Sequence, residues 1–347
     1  MKNECNPPSG RNADARALRM LLLLGGVLIA AFLVSFTLGR YGVPVTQVLR
    51  ILFSRILPLN NTWTPEMETV VVNIRLPRIL MACLVGCSLS AAGATYQGVF
   101  QNPMASPDVL GASSGAAFGA ALAILLGASS RGVTMAAFVS GMVTVCVVFL
   151  IAQRAPGMRV VNLILAGIMV SSLFTAGTSY VKLVADPTNQ LPEITYWLMG
   201  SLSGAKLKDV GLAIVPMALG LVPLLLLRWQ INLLTLGDEE ARTLGVNTNF
   251  IRFLVIVCST LVTAASIAVS GMIGWVGLVI PHLCRKLVGS NYRWLMPASM
   301  LAGAAFLLVV DNVSRNLLAV EIPIGILTAF IGAPFFVYLI VRKEKTL

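Results

Sequence analysis

Long apolar segments follow one another along almost the whole chain, and each is about the length needed to cross a lipid bilayer. A helix needs roughly 20 mostly apolar residues to span the hydrocarbon layer of a membrane. Segments that meet or approach that length lie at residues 18–39, 78–100, 107–127, 132–152, 162–184, 209–228, 250–270, 273–287, 295–313 and 324–341. The pattern predicts an all-α, polytopic membrane protein with about ten transmembrane helices.

The composition agrees with a lipid environment. Of the 347 residues, 57% are hydrophobic and 11% are charged, and the mean hydropathy is +0.87. Soluble domains carry about 25% charged residues, so a soluble fold of this composition would have too little polar surface to face water. No polar domain interrupts the apolar segments, which predicts a single transmembrane domain over residues 18–347 after a polar cytoplasmic tail at residues 1–17.

The formal net charge of +11 does not indicate a nucleic-acid partner. The basic residues lie between apolar segments and at both ends of the chain, whereas a nucleic-acid footprint needs them on one face. The six cysteines lie mostly inside apolar segments and form no CxxC pair. Because a thiol in the membrane behaves as a small hydrophobe, the sequence predicts neither a disulfide framework nor a metal site.

The topology follows from the number of spans and the distribution of charge. An even number of spans places both termini on one side, and most of the 25 lysines and arginines then fall on that same side. The positive-inside rule makes that side cytoplasmic, so we expect a multi-pass protein of the cytoplasmic (inner) membrane with both termini in the cytoplasm. The segment 273–287 is short and contains Pro281, and residues 191–204 are expected to form an interfacial helix.

Acidic residues are missing from the middle of the predicted spans. Asp108 and Asp311 lie near predicted helix ends, whereas ion-coupled carriers commonly place ionisable groups at membrane depth. We therefore expect the energy for transport to enter from outside the membrane domain. Small residues are abundant in the second and third spans, where they allow close helix packing, and a wide, uncharged pathway would suit a large polar chelate.

Four stretches carry a resemblance to a known family. They are residues 74–111 (including IRLPR, SAAGATYQ and QNPMASPDVLG), 236–246 (LGDEEARTLGV), 274–282 (GWVGLVIPH) and 311–334 (including DNVSR, EIPIG and GAP). In this order the chain resembles the permeases of the iron-siderophore, haem and cobalamin ABC importers (type II importers) over roughly residues 18–342. The resemblance implies an inverted repeat of spans two to five and seven to ten. It also implies a second permease copy, identical or paralogous, two ABC ATPase subunits and an extracytoplasmic substrate-binding protein.

The polar stretch 236–246 lies between the sixth and seventh predicted spans. Its acidic residues precede Ala241, and acids in the first turn complement a helix dipole, so a short helix on the inner face is expected. The resemblance assigns this helix to coupling with the ATPase. The residues concerned are Leu236, Gly237, Asp238, Glu239, Glu240, Ala241, Arg242, Leu244 and Gly245.

Three arginines lie on the predicted outer face, namely Arg75, Arg78 and Arg315. The resemblance implies that they dock acidic residues of the binding protein, a role that suits guanidinium because it pairs bidentately with carboxylates. The alternative is that each arginine extends its charged end to the membrane interface as an anchor.

The resemblance also places a cytoplasmic gate near the inner end of the second span and the start of the fifth. The matching residues are Asn102, Met104, Val160 and Val161. The single histidine, His282, follows Pro281 at the inner end of a span, where we expect a structural or interfacial role.

The chain contains no GxxxxGK[ST] phosphate loop, the motif that binds nucleotide through backbone N–H groups and a lysine. We therefore expect no enzymatic activity and no cofactor bound by this chain, with ATP and Mg²⁺ used by the partner ATPase. The resemblance implies import of an iron chelate, a siderophore before others, with haem or cobalamin as alternatives in the same architecture. An ion-coupled secondary carrier and a membrane-embedded enzyme are the rival classes.

Overall fold

The computed structural model describes residues 10–39, 41–54, 62–156 and 159–343. The α-helices in these ranges are α1 (Gly10–Thr37), α2 (Val45–Phe53), α3 (Pro65–Glu68), α4 (Leu76–Val99), α5 (Ala112–Leu125), α6 (Ser130–Arg154), α7 (Arg159–Val184), α8 (Gln190–Leu198), α9 (Leu207–Leu226), α10 (Arg228–Leu234), α11 (Asp238–Thr243), α12 (Thr248–Ser270), α13 (Val276–Val288), α14 (Tyr292–Asn316) and α15 (Ile324–Lys343). A π-helical turn (Thr69–Arg75) joins α3 to α4, and a 3₁₀ turn (Pro107–Leu110) precedes α5.

Seven of the described helices are long and apolar enough to cross a membrane. They are Asp14–Thr37, Pro65–Val99, Ser130–Arg154, Val160–Val184, Leu207–Leu226, Thr248–Ser270 and Tyr292–Asn316. The shorter helices α5, α13 and α15 fall in the remaining predicted spans. The predicted all-α, multi-span class is confirmed.

Several helix boundaries differ from the predicted ones. α1 begins at Gly10, so residues 10–17 are helical, while residues 1–9 lie outside the described ranges. The division into a cytoplasmic tail and one membrane domain stays a prediction. The predicted interfacial helix over 191–204 is α8, which ends at Leu198, and Gly200 with φ of 73° follows it. A left-handed backbone of this kind favours glycine and turns the chain away from the helix. The inverted repeat stays a prediction.

α4 lies at the centre of the bundle, and nearly its whole surface is buried. Two glycines allow neighbouring backbones to touch it. A Cβ added at Gly86 would lie 2.2 Å from the carbonyl oxygen of Gly303 in α14, and one added at Gly93 would lie 1.8 Å from that of Gly277 in α13. The close packing predicted from the small residues of this span is confirmed, and no larger side chain fits at either crossing.

The helical backbone is interrupted between α12 and α13, where the predicted seventh and eighth spans meet. Residues 271–275 are not helical, and Trp275 adopts a φ of 71°, which is strained for a bulky side chain. Irregular backbone beside membrane-spanning helices is tolerated where protein buries it or where it lines a cavity, and residues 272–275 line one.

Candidate functional site

A cavity of about 790 Å³ lies beside the interruption. Its wall is formed by the non-helical residues 272–275, the end of α8 at Leu198 and Met199, the start of α5 at Ser113 and Ser114, and one face of α15. The cavity is open on one side, and Phe330 of α15 is 75% exposed there. Its volume falls within the range of about 300–1,000 Å³ that small-molecule sites occupy.

Backbone hydrogen bonds hold three chain segments together at this wall. The N–H of Ser201 donates to the carbonyl of Ser270 at 2.8 Å, which ties the loop after α8 to the end of α12. The N–H groups of Ile324 and Gly325 donate to the carbonyls of Gly200 and Met199 at 2.9 and 3.1 Å. The end of α8, the end of α12 and the start of α15 consequently form one connected rim.

The side chain of Trp275 fixes α15 against the interruption. Its ring meets that of Phe336 edge to face, with 6.3 Å between centroids. A Cβ added at Gly332 would lie 2.6 Å from the Trp275 side chain, so only glycine fits beneath the ring. The strained backbone of Trp275 thus positions an aromatic side chain that packs two helices at the cavity.

Asp108 brings a carboxylate into this cavity. The residue lies in the 3₁₀ turn before α5, its side chain is exposed to the cavity, and the hydroxyl of Ser113 donates a hydrogen bond to its Oδ1. The cavity wall therefore carries one ionisable side chain among its described residues, and an uncharged transport pathway stays a prediction. The sequence showed an acid beside apolar spans, but the fold was needed to show that the turn lies at a cavity.

The three arginines predicted on the outer face form a buried cluster at the start of α4. We name the arginine cluster as Arg75, Arg78, Asp311, Arg315 and Glu321. The Nε of Arg78 lies 2.8 Å from Asp311 Oδ1, and its Nη1 donates to both Glu321 carboxylate oxygens at 2.9 and 3.0 Å. Arg315 approaches the second oxygen of Asp311 at 3.7 Å.

Other donors of the arginine cluster bind α1 and the turn after it. Arg75 donates to the carbonyls of Phe36 and Tyr41, and Arg315 donates to the carbonyl of Ser35 at 3.1 Å. Arg75, Arg78 and Arg315 are only 3%, 6% and 9% exposed. In this conformation their guanidinium groups face protein and not the membrane interface, and docking of a binding protein through them stays a prediction.

The short helix predicted within residues 236–246 is present as α11. Ala241 is completely buried and packs with Leu233 and Val246. Asp238, in the first turn, pairs bidentately with Arg252 of α12 at 2.6 and 3.1 Å. These contacts fix one side of α11 to the bundle.

The other side of this segment faces away from the bundle. Leu236 and Leu244 are 58% and 56% exposed, and Arg242, Glu239 and Glu240 are exposed beside them. Leu236 and Leu244 thus offer apolar surface beside charged side chains on the side of α11 that faces away from the bundle. The assignment of this surface to an ATPase stays a prediction.

The predicted gate residues lie at two helix ends. The N–H of Met104 donates to Asn102 Oδ1 at 2.9 Å in the turn after α4, and Met104 is 47% exposed. Val160, partly buried against the core, and Val161, 45% exposed, lie in the first turn of α7. Their action as a gate stays a prediction.

A polar network that the sequence did not reveal lies near the same end of α4. Arg285 of α13 donates to Gln97 Oε1 at 2.5 Å and to the hydroxyl of Tyr292 at 3.2 Å. That hydroxyl donates to the carbonyl of Ala94 at 2.8 Å, and Gln101 donates to the carbonyl of Leu234 in α10 at 2.9 Å. α4, α10, α13 and α14 are therefore joined at this end.

A bundle of helices long enough to cross a membrane, with a cavity of the size of a small-molecule site, fits a membrane transport protein. The chain belongs to the FecCD transport family, whose model matches residues 27–342. It is accordingly a multi-pass ABC importer permease of that family.

Named relatives and a solved structure agree with this assignment. The molybdate import system permease protein MolB of Haemophilus influenzae is 41% identical over 94% of this chain and 96% of its own length. A probable iron chelatin permease of Helicobacter pylori is 40% identical over 82% of this chain and 86% of its own. A structure described as an inward-facing conformation of a metal-chelate type ABC transporter has a TM-score of 0.84 and 40% identity, covering 93% and 99% of the two chains.

Proposed function

We propose that this permease passes an iron chelate, a siderophore before others, across the cytoplasmic membrane and that a separate ATPase drives the transport. The observation that carries the proposal is the cavity of about 790 Å³ beside the interrupted helix in a chain of the FecCD family. A cavity of this size with an open side can accommodate part of a large chelate. The permease itself makes no covalent change to its cargo and acts as a transport component.

The nature of the cargo rests on relatives of different specificity. The Helicobacter pylori relative named for iron chelatin and the solved structure described as a metal-chelate type ABC transporter support a metal chelate. Haem and cobalamin, which are bulky metal complexes, are the alternatives within the same architecture. An ion-coupled secondary carrier is a weaker candidate, because the family model and the named relatives are those of ABC importer permeases.

The α11 segment supports the proposed coupling to an ATPase. Leu236 and Leu244 offer apolar surface, and Arg242 offers an exposed guanidinium that suits a carboxylate on the partner. The pairing of Asp238 with Arg252 links this surface to α12, which continues towards the interruption at residues 271–275. A movement of α11 would thus reach the cavity wall through one helix.

The proposed mechanism is alternating access between two permease copies, with both chain termini in the cytoplasm. A loaded binding protein docks at the arginine cluster, where its carboxylates would replace Glu321, the more exposed partner of Arg78. The cargo then enters the cavity, and nucleotide-driven motion of α11 changes which end is open. Asn102, Met104, Val160 and Val161 are proposed to close the cytoplasmic end.

The experiment that tests this function is ATP-dependent uptake of a ferric siderophore into vesicles that contain the permease, its ATPase and its binding protein. We expect uptake that requires ATP and both partners and that is lost in Arg242→Glu. The control is Arg131→Glu, which reverses the charge of an exposed arginine in the first turn of α6, outside the α11 segment. Uptake by the permease alone, driven by an ion gradient, would contradict the proposal.

A further inference from the structure

The cavity contains one ionisable side chain among the described residues that line it, and that side chain is Asp108. The rest of the lining is apolar, aromatic or carries a small hydroxyl, as with Met272, Trp275, Phe330 and Ser114. Oxyanion sites in proteins commonly use arginine, lysine, hydroxyl groups, nests of backbone N–H groups or free helix N-termini. The lining provides no basic side chain for such a ligand.

The N-terminus of α5 is the feature of the cavity wall that would attract an anion, and Asp108 lies beside it. The N-terminus of α5 carries a positive partial charge and lies at the cavity through Ser113 and Ser114. The Asp108 carboxylate is held beside this N-terminus by the Ser113 hydroxyl, so the protein's own anion already occupies that position. The dipole stabilises the carboxylate in turn.

We propose that Asp108 gives the cargo cavity a negative potential that selects neutral or cationic metal complexes and excludes oxyanions such as molybdate. This inference rests on the proposed function and narrows its cargo class. A relative named for molybdate is 41% identical to this chain, so overall similarity does not decide the cargo. The aromatic side chains of Trp275 and Phe330 complete a wall suited to bulky, weakly charged complexes.

The sharpest test measures the charge of the cavity without depending on transport. Ser114→Cys places a thiol in the cavity of the full chain, in membrane vesicles with its ATPase. The variant is labelled with the cationic reagent trimethylammonioethyl methanethiosulfonate and with the anionic sulfonatoethyl analogue. Each rate is divided by the rate for free cysteine, and the chain without Ser114→Cys corrects for the native cysteines.

We expect the normalised rate to be roughly tenfold or more higher for the cation, because a cleft of one charge sign concentrates its counter-ions. Adding Asp108→Asn should bring the two rates together, whereas Asp108→Glu should preserve the preference. The matched control is Glu66→Gln, which removes the same charge from an exposed position outside the cavity. It should leave the preference unchanged.

Equal normalised rates in the Ser114→Cys chain alone would overturn the inference, even if the Asn variant failed to fold. A preference that survives Asp108→Asn in folded protein would also overturn it, because another group would then set the potential. ATP-driven molybdate uptake by the unmodified complex would contradict the selection. Failure of the complex to import any ferric chelate, with the labelling preference intact, would instead count against the proposed function.

Discussion

The arginine cluster and the α11 segment lie near opposite ends of α4, and both were predicted from the sequence to contact partner proteins. The structure gives them opposite surfaces. In the arginine cluster the charges face inward, and Arg75, Arg78 and Arg315 are all less than a tenth exposed. In the α11 segment two leucines face outward and only Ala241 is completely buried.

The difference shows that residue type alone did not predict exposure in this chain. A buried guanidinium is costly unless it is paired and hydrogen-bonded. Asp311 and Glu321 pair with Arg78, and Asp311 also lies near Arg315. Arg75 instead donates to the backbone carbonyls of Phe36 and Tyr41. Leu236 and Leu244 stay exposed within the part of the chain that the structure describes, and their burial would require another surface. The α11 segment is thus the more available contact surface in this conformation.

The largest expected effect comes from removing the shared carboxylate of the arginine cluster. Asp311→Ala leaves Arg78 and Arg315 buried without their common counter-charge, and breaking a buried pair in this way costs about 3–5 kcal/mol. We expect a large fall in the yield and the thermal midpoint of the detergent-solubilised protein. Thermal unfolding followed by tryptophan fluorescence measures the midpoint of this variant and of its control.

The matched control is Glu239→Ala, which removes the same charge from the exposed side of α11. Surface substitutions of this kind usually change stability by less than about 0.5 kcal/mol. Equal midpoints for Asp311→Ala and Glu239→Ala would contradict the view that the charges of the arginine cluster are buried and paired whereas those of α11 are exposed to solvent.

The next effect concerns binding and not stability. Leu244→Asp places a charge on the exposed apolar side of the α11 segment, where burial of a leucine contributes about 1.5–3 kcal/mol. We expect the affinity for the partner ATPase to fall roughly tenfold or more, with an unchanged thermal midpoint. Measurement of ATPase binding to the solubilised permease checks this result.

Val320→Asp is the control for that variant, because Val320 is 78% exposed but follows α14 near the arginine cluster. We expect it to leave ATPase affinity unchanged. Equal losses in the two variants would show that Leu244 does not contact the ATPase and that the effect is general.

The sequence predicted the fold further than it predicted the sites. Apolar length and small residues identified the spans and the close approach of Gly86 and Gly93 to their neighbours, because both depend on local composition. The arginine pairs could not be predicted, since Arg78 and Asp311 are separated by 233 residues. Likewise, the place of Asp108 at a cavity depends on how the interruption at 271–275 packs against α8 and α15.

A smaller effect is expected at the ion pair that attaches α11 to α12. Asp238→Asn weakens the pair with Arg252, whose side chain is 5% exposed whereas that of Asp238 is 42% exposed. A hydrogen bond to a charged group contributes about 1.5 kcal/mol, and the exposure of Asp238 reduces this figure. We expect a midpoint between those of Glu239→Ala and Asp311→Ala, together with faster hydrogen exchange in α11. An unchanged exchange rate would mean that Ala241 alone holds the helix.

The smallest effect is expected at Glu321, the exposed member of the arginine cluster. Its side chain is 32% exposed, and in Glu321→Gln the amide oxygen still accepts from Arg78 while Asp311 keeps its charge, so the loss of stability should stay below about 1 kcal/mol. If a binding protein docks by replacing Glu321, the same change should raise its affinity about two- to fivefold, because a weaker internal partner is displaced. Titration of the binding protein onto the solubilised permease measures this affinity. A loss of stability as large as that of Asp311→Ala would show that Glu321 is needed to neutralise the buried arginines. A binding protein could then not replace it, and docking at the arginine cluster would be contradicted.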